Sequence, residues 1–595
     1  MTIGTVRVPN EGPKDARIYL VGEGPGADEA DAGRPFVGVS GLKLRGCLAR
    51  NGVVEDTVRF CNLVQYRPPN NKFEAILRTR ELEAGIEELA ADIREFRPNV
   101  VAALGNWPLY YLTGRRGKKA VGTGIGKWRG SILPCILPGC EGVKVVASYH
   151  PAYVVRQPTA YPIFDTDIKR VVHDAAFPEL RYPERNLVLD PRGELLDEWT
   201  ERLCSAEFLA VDIETVKRTA HILCVGFSPD PFTSVVISHS STDFARREAI
   251  DRILRSPAKK VFHNGGTFDI PILEINDYEV VNYFWDTMVA QHVMWGELPK
   301  SLDYLASVHT RQPYYKTAGR AEIPDDAKGW SEKFDRNALY EYNGTDTSVT
   351  AEVFLAQQED FRTGPWQWQR VFDFEMSEFE AAATISKTGM MIDLKRREIL
   401  KRALQAKWAI IQFVLNNLVK LKVNVNSPKQ MRTLLYDKDK LGLPPRKDHE
   451  GNLTTDEDAI VSLIAFAKDK LNKLKPGGNA NAFWQLRVDA LNSILLIRGI
   501  RKLLSSYINI RISDDGRLRA TFKPVSTETG RWACAVYFDG TGTNAQTFPR
   551  EVFELKNYED DPFLKEMLPY ILESEAEDVG IEIDEAVETE EAVAV

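Results

Sequence analysis

Asp212 and Glu214 stand two residues apart at the end of the apolar run Phe208 to Thr215. Such a run reads as a buried strand. Strand alternation then puts both carboxylates on one face, roughly 7 Å apart along the chain. Two acids in that position repel each other and lose hydration. Either they are solvated at a strand end, or a divalent cation compensates them. Two later stretches offer the same chemistry. His263-Asn264-Gly265-Gly266-Thr267-Phe268-Asp269 follows the apolar pair Val261-Phe262. Tyr342-Asn343-Gly344-Thr345-Asp346 lies in a run that reads as helix, where Tyr342 and Asp346, four residues apart, share a face. Four carboxylates and a phenol suit hard cations such as Mg²⁺ or Mn²⁺. Asp286, before Thr287-Met288, reads as a helix cap, with metal ligation as the alternative.

These three motifs, in this order, resemble the proofreading 3′-5′ exonuclease domain of family A DNA polymerases, in the subclass with Tyr in the last motif. The resemblance implies two divalent ions on Asp212, Glu214, Asp269 and Asp346. It implies that Tyr342 orients the attacking water and that Asn264 helps hold the terminal nucleotide. One ion would activate water and the other would stabilise the leaving 3′-oxygen.

A second set of chemically suggestive residues lies nearer the start. The strand-like Arg17 to Val21 leads into Gly22-Glu23-Gly24-Pro25-Gly26, where glycines allow close approach of a ligand to the backbone. No Gly-Lys-Ser/Thr follows, so this is not a nucleotide-binding P-loop. Gly33-Arg34-Pro35-Phe36-Val37-Gly38, the run from Asn62 to Asn71, a strand from Val100 to Leu104 ending at Gly105-Asn106, and Ser148-Tyr149-His150-Pro151-Ala152-Tyr153 come next. From about Ala16 to Asp174 this constellation resembles the family 4 uracil-DNA glycosylases. By that resemblance Phe36 stacks on a flipped-out uracil, Asn62 reads its amide edge and His150 stabilises the leaving anion. Glu23, with the turn carrying Gly22, Gly24 and Gly26, would sit near the attacked sugar carbon and its water. The family's iron–sulfur cysteines are not matched. The seven cysteines, at 47, 61, 135, 140, 204, 224 and 534, form no Cys-x-x-Cys pair, so no cluster is expected.

The elements that position these residues must come from several domains, since 595 residues exceed one core. The sequence is 44% apolar and 27% charged, as in globular proteins. Scattered cysteines point to a reducing cytoplasm, and no apolar run has membrane-span length. The formal net charge of −9 is unevenly spread. Between Ile385 and Val525 there are 27 Lys and Arg against 13 Asp and Glu, and from Lys556 to Val595 there are 2 against 14. A basic domain beside an acidic tail fits a nucleic-acid protein.

The expected organisation is a multidomain chain. An α/β glycosylase domain takes residues 1–178 and a proline-flanked linker 179–195. An α/β ribonuclease H-like exonuclease domain with a mixed sheet takes 196–360. Long amphipathic helices are expected over Phe372 to Lys387, Arg396 to Leu421 and Phe483 to Ile508, with Ser427 capping a helix begun by Pro428. Gly389-Met390-Met391-Ile392-Asp393, Ser427-Pro428-Lys429-Gln430 and Thr455-Asp456-Glu457 resemble the family A polymerase thumb, placed at 361–525. Thr527-Glu528-Thr529-Gly530-Arg531 and Asn544-Ala545-Gln546 resemble the palm entry, placed at 526–555, where Arg531, Asn544 and Gln546 would contact primer and template. The remaining palm acids and the fingers helix are not recognisable, and 556–595 reads as an acidic tail. The expected partners are single-stranded DNA 3′ ends, primer–template duplex, and a second polypeptide supplying palm and fingers. The alternative is a DNA-binding scaffold subunit or a truncated polymerase with a vestigial glycosylase fold.

Overall fold

The computed structural model describes residues 3–117, 122–316, 335–448 and 451–548. The chain divides into two compact units, Met1–Ala383 with Lys523–Ala533, and Thr384–Phe522 with Cys534–Val595. Pro549, Arg550 and the acidic tail lie outside the described residues.

The first unit holds two sheets. Strands β1 (Ile18–Gly22), β2 (Val58–Asn62), β3 (Val100–Leu104), β4 (Ile132–Pro134) and β5 (Lys144–Ser148) form one, in the order β2-β1-β3-β5-β4. Only β4 is antiparallel. The parallel strands are buried along their whole length, as expected when both faces of a sheet are covered. Alternate residues serve opposite faces: Tyr19 and Val21 join one apolar cluster, Ile18 and Leu20 the other. Because β1, β2, β3 and β5 run parallel, their carboxyl ends, at Gly22, Asn62, Leu104 and Ser148, meet at one edge. Open α/β sheets place ligands at that edge.

The second sheet contains β6 (Asn186–Leu189), β7 (Phe208–Thr215), β8 (Ile222–Asp230), β9 (Thr233–Ser238), β10 (Lys259–Phe262) and β11 (Tyr283–Asp286), ordered β11-β10-β7-β8-β9-β6. It is mixed: β7-β8 and β8-β9 are antiparallel, and β7-β10, β10-β11 and β6-β9 are parallel. The strand β6 corrects the expectation of a linker over 179–195. The apolar Leu187-Val188-Leu189 takes a place at the sheet edge, and Pro183 and Pro191 fall outside it. The helix Arg336–Thr363, capped by Asp335 accepting from the Ala338 N–H at 3.1 Å, packs across β7, β8, β9 and β6. Gly344 lets it lie close. A Cβ there would be 3.2 Å from both Leu187 and Val236.

In the second unit, helices Leu394–Val419, Pro428–Tyr436, Glu457–Asn472 and Asn479–Leu503 share an apolar core containing Leu415, Leu435, Leu463 and Ile494. Ser427 caps the second by accepting from Gln430 N–H at 3.3 Å, as its position before Pro428 predicts. Asp456 caps the third, accepting from Ala459 N–H at 2.8 Å. Two other expectations shift. The last helix stops at Leu503 and continues as a π turn over Leu504–Ile508. Residues 526–533, expected with the palm entry, group with the first unit, where neighbouring Val525 packs with Trp285, Phe372 and Phe379. Trp532 Nε1–H there donates to Glu378 at 2.8 Å.

Candidate functional sites

On the mixed sheet, β7 presents Asp212 and Glu214 opposite Gly226 and Cys224 of β8. The missing side chain at Gly226 admits Asn343, whose amide donates to Asp212 Oδ2 at 2.8 Å. The same helix carries Asp346 and Tyr342. Carboxylate oxygens of Asp212, Glu214 and Asp346 all lie within 4.8 Å of one another. Among the described residues this is the only group of three or more His, Cys, Asp or Glu placed to hold an ion. Burial, then repulsion from Asp269, Asp346 and Glu214, pushes the Asp212 carboxyl well above its ordinary range. A cluster of oxygen donors, with Glu214 and Asp346 buried and Asp212 half-buried, that resists sharing negative charge fits a hard divalent cation.

Asp269 stands differently. It opens the helix Asp269–Ile275, and its Oδ1 accepts from Ile213 N–H at 3.1 Å, between the two β7 acids. Burial lifts it to about 7, against the stabilising backbone donors. The fourth expected carboxylate therefore touches β7 through its backbone and remains electrostatically coupled to Asp212. Asp286 is a staple. Its carboxylate accepts from the N–H groups of Asn264 (3.0 Å), Gly265 (2.8 Å) and Met288 (2.9 Å) and from the Tyr283 hydroxyl (2.8 Å). That is the cap role, extended to pin the loop carrying Asn264. Asn264 has a φ of 66°, and its side-chain oxygen accepts from the Thr267 hydroxyl.

Two neighbours of Asp346 carry no signal in the sequence. The Tyr315 hydroxyl and the Lys316 ammonium both donate to its carboxylate, and Lys316 also donates to the Tyr342 oxygen at 3.3 Å. They lie about thirty residues upstream in no recognisable motif, so only the tertiary fold reveals them. Asn343 was visible within its motif, but its bond to Asp212 was not.

At the edge of the parallel sheet, the expected pocket residues meet around two glycines. A Cβ on Gly22 would lie 2.6 Å from Asn62 Oδ1 and 2.7 Å from Phe36 Cζ. A Cβ on Gly105 would lie 3.1 Å from both Glu23 Oε1 and His150 Cβ. A side chain at Gly22 would collide with Asn62 and Phe36, and one at Gly105 would crowd Glu23 and His150. Phe36 sits at φ 54°, held by Arg45 donating to the carbonyls of Pro35 (3.0 Å) and Phe36 (2.9 Å). Glu29 ties the loop by accepting from Gly26 N–H (3.0 Å) and Gly38 N–H (2.9 Å). Gly24 packs against Val64 and Pro68.

Burial drives both titratable groups of this pocket toward neutrality. Glu23 rises to about 7, opposed by a backbone N–H bond at Trp107. His150 falls to about 4, with Arg156 adding to the effect. His150 Nδ1 accepts from Ala152 N–H at 3.1 Å, which puts the proton of the neutral ring on Nε2. The cysteines here do not fit a cluster. Cys61, Cys135 and Cys140 pack in the apolar layer on one sheet face and Cys47 in that on the other.

The expected primer contacts are divided. Arg531 belongs to the first unit, where its carbonyl accepts from the Thr527 hydroxyl at 2.9 Å. Asn544 and Gln546 belong to the second, where Asn544 caps the turn by accepting from Gln546 N–H at 3.1 Å. No described helix is long and apolar enough to cross a membrane.

Comparison with known proteins follows the same division. Residues 9–176 match the uracil DNA glycosylase superfamily, and residues 192–359 match a 3′-5′ exonuclease family of DNA polymerase A type. A type-4 uracil-DNA glycosylase of Thermotoga maritima is 39% identical over 150 residues, covering 25% of this chain and 71% of the relative. That of Pyrobaculum aerophilum is 37% identical, covering 27% and 79%. DNA polymerase I of Pseudomonas aeruginosa is 24% identical over 373 residues, covering 58% of this chain and 37% of that polymerase.

Proposed function

Because the chain belongs, through residues 9–176, to the uracil-DNA glycosylase superfamily and carries a DNA polymerase A-type 3′-5′ exonuclease domain, we propose that it excises uracil from DNA and trims DNA 3′ ends at two separate sites. The observation that carries the second activity is the convergence of Asp212, Glu214 and Asp346 within 4.8 Å. Two divalent ions, Mg²⁺ or Mn²⁺, supply Lewis acidity and a water of lowered pKa when bound there. Asp212, Glu214 and Asp346 would hold them, with Asp269 orienting β7 through Ile213. Tyr342 orients the attacking water, and Asn264, on the loop pinned by Asp286, contacts the terminal nucleotide.

In the glycosylase pocket Phe36 stacks on the flipped base and Asn62 bonds its amide edge. The His150 Nε2–H donates to the departing uracil anion, a role open to a neutral imidazole. Glu23, titrating near neutrality, accepts a proton from the water that adds to the sugar carbon. This reading requires no iron–sulfur cluster.

The helices of the second unit and their excess of Lys and Arg support a grip on duplex phosphates. Templated synthesis would need palm carboxylates and a fingers helix besides the thumb-like and palm-entry segments, supplied by further sequence or by a second polypeptide. Primer extension with the 595-residue chain, alone and with a palm-and-fingers protein from the same source, separates the cases. Extension should appear only in the second.

The nuclease reading is tested with 5′-labelled single-stranded DNA. Laddering from the 3′ end should require Mg²⁺ or Mn²⁺ and should vanish in Asp212→Ala/Glu214→Ala. Undiminished digestion by that double variant would remove the assignment.

A further inference from the structure

Lys316 is 94% buried beside the exonuclease acids, with 6% of its surface exposed. Its ammonium donates to Asp346 Oδ2 and, at 3.3 Å, to the Tyr342 hydroxyl oxygen. It also lies over the rings of Tyr342 and Tyr315, at 5.0 and 5.3 Å from their centroids. An ammonium only donates hydrogen bonds. The Tyr342 oxygen must accept from it, so the phenol's own proton is turned in another direction. Lys316 thus fixes the orientation of both Asp346 and Tyr342.

The segment that delivers Lys316 is anchored on the other module of the same unit. At the end of the helix Leu302–His309, Arg170 of the glycosylase module donates to the carbonyls of Val308 (3.1 Å) and Thr310 (2.7 Å). Buried Arg129, paired with Asp167, donates to Ser307 Oγ at 2.7 Å. Arg311 reaches back to Asp174 at 2.8 Å. Tyr314 N–H donates to Ser131 Oγ at 3.1 Å, and its ring meets Trp128 edge-on at 5.3 Å. The next two residues are Tyr315 and Lys316. The hydrogen bond that the ammonium donates to Asp346 Oδ2 would compete with a divalent ion for that carboxylate's lone pairs, and the two cations would repel.

From this geometry we infer that Lys316 is a positioning residue of the exonuclease site. It is a tethered cation that sets Asp346 and Tyr342 and competes with the ion on Asp346, and the glycosylase module holds it in place. The inference rests on the metal-dependent reading above and is tested apart from it.

The full-length protein is titrated with Mn²⁺, and free Mn²⁺ is read by electron paramagnetic resonance, with thermal melting to verify folding. Lys316→Met should bind Mn²⁺ roughly 5- to 30-fold more tightly than wild type, the range set by removing one charge roughly 4 to 8 Å from a divalent ion in a water-like dielectric. Lys316→Arg, which keeps the charge, should stay near wild type. With saturating Mn²⁺, Lys316→Met should still hydrolyse more slowly, because Tyr342 is no longer set. Trp128→Ala, on the glycosylase side, should shift Mn²⁺ affinity in the same direction by less. Equal affinity of wild type and Lys316→Met, or an Arg variant that follows the Met variant, would overturn the role of Lys316. An unchanged Trp128→Ala would overturn the anchoring. Failure of wild type to bind Mn²⁺ would defeat the metal-site reading itself.

Discussion

The two sites of the first unit handle burial in opposite ways. The glycosylase pocket removes charge. Burial lifts Glu23 to about 7 and drops His150 to about 4, so near pH 7 the imidazole is neutral and the carboxyl is in mid-titration. Its shape comes from loop backbone at the ends of parallel strands, with Gly22 and Gly105 leaving the room. The exonuclease site concentrates charge. Three carboxylates from a strand and a helix face one another, an arrangement that either protonation or a divalent cation relieves. On the proposed functions, a leaving anion would meet a neutral imidazole donor, whereas acids that burial alone would protonate would be compensated by a metal. The two reactions should therefore separate by metal dependence and by pH.

The largest expected effect is on the acids. Asp212→Ala/Glu214→Ala should all but abolish exonuclease activity, since both proposed β7 ligands would be gone. Uracil excision should be unchanged, as measured by alkali-labile breaks in uracil-containing DNA. His150→Ala reverses the comparison. Excision should fall by roughly 10²-fold, the loss typical of one charge-stabilising donor, with 3′ digestion at the wild-type rate in a gel assay.

A smaller effect sharpens the view of how the acid cluster is held. Asn343→Ala removes the donor on Asp212 Oδ2 and should weaken Mn²⁺ binding by roughly tenfold, as supporting hydrogen bonds to metal ligands do. Calorimetric titration would show it. The smallest is a change of profile. Burial raises Glu23 to about 7, so its carboxylate is ionised only above that pH. As the proton acceptor it should make excision rise with pH through about 7. Glu23→Gln should flatten that limb as well as slow the reaction. A wild-type profile flat from pH 6 to 8 would argue that Glu23 does not take the proton.

How far the sequence discloses these sites depends on the range of each interaction. Asp212 and Glu214 are legible because strand alternation alone puts them on one face, and Tyr342 and Asp346 because helix periodicity does. The glycines at 22 and 105 are legible as strand-end turns, but their closeness to Asn62, Phe36, Glu23 and His150 depends on which strands are neighbours. Asp269 is in the recognised motif, yet its bond to Ile213 follows from the parallel pairing of β10 with β7. Lys316 and Tyr315 reach Asp346 only through the course of their segment across another module, and no local pattern encodes that. The strand β6 was hidden for a different reason. Its three apolar residues are short and flanked by prolines, and only the exposed edge of β9 gives them a partner. Arg531 groups with the first unit, where neighbouring Val525 packs on the exonuclease core, and Asn544 and Gln546 with the second, a division the palm-like motif does not foretell.

One substrate tests the central claim, two chemically independent sites in one chain. A 5′-labelled single strand with one internal uracil is incubated with the full-length protein in EDTA and, in parallel, in Mg²⁺, and each product is split before and after alkali. In EDTA, alkali should cut only at the uracil, with no shortening from the 3′ end. In Mg²⁺, a 3′ ladder should appear as well. Loss of the uracil cut in EDTA, or a ladder that persists there, would contradict the account.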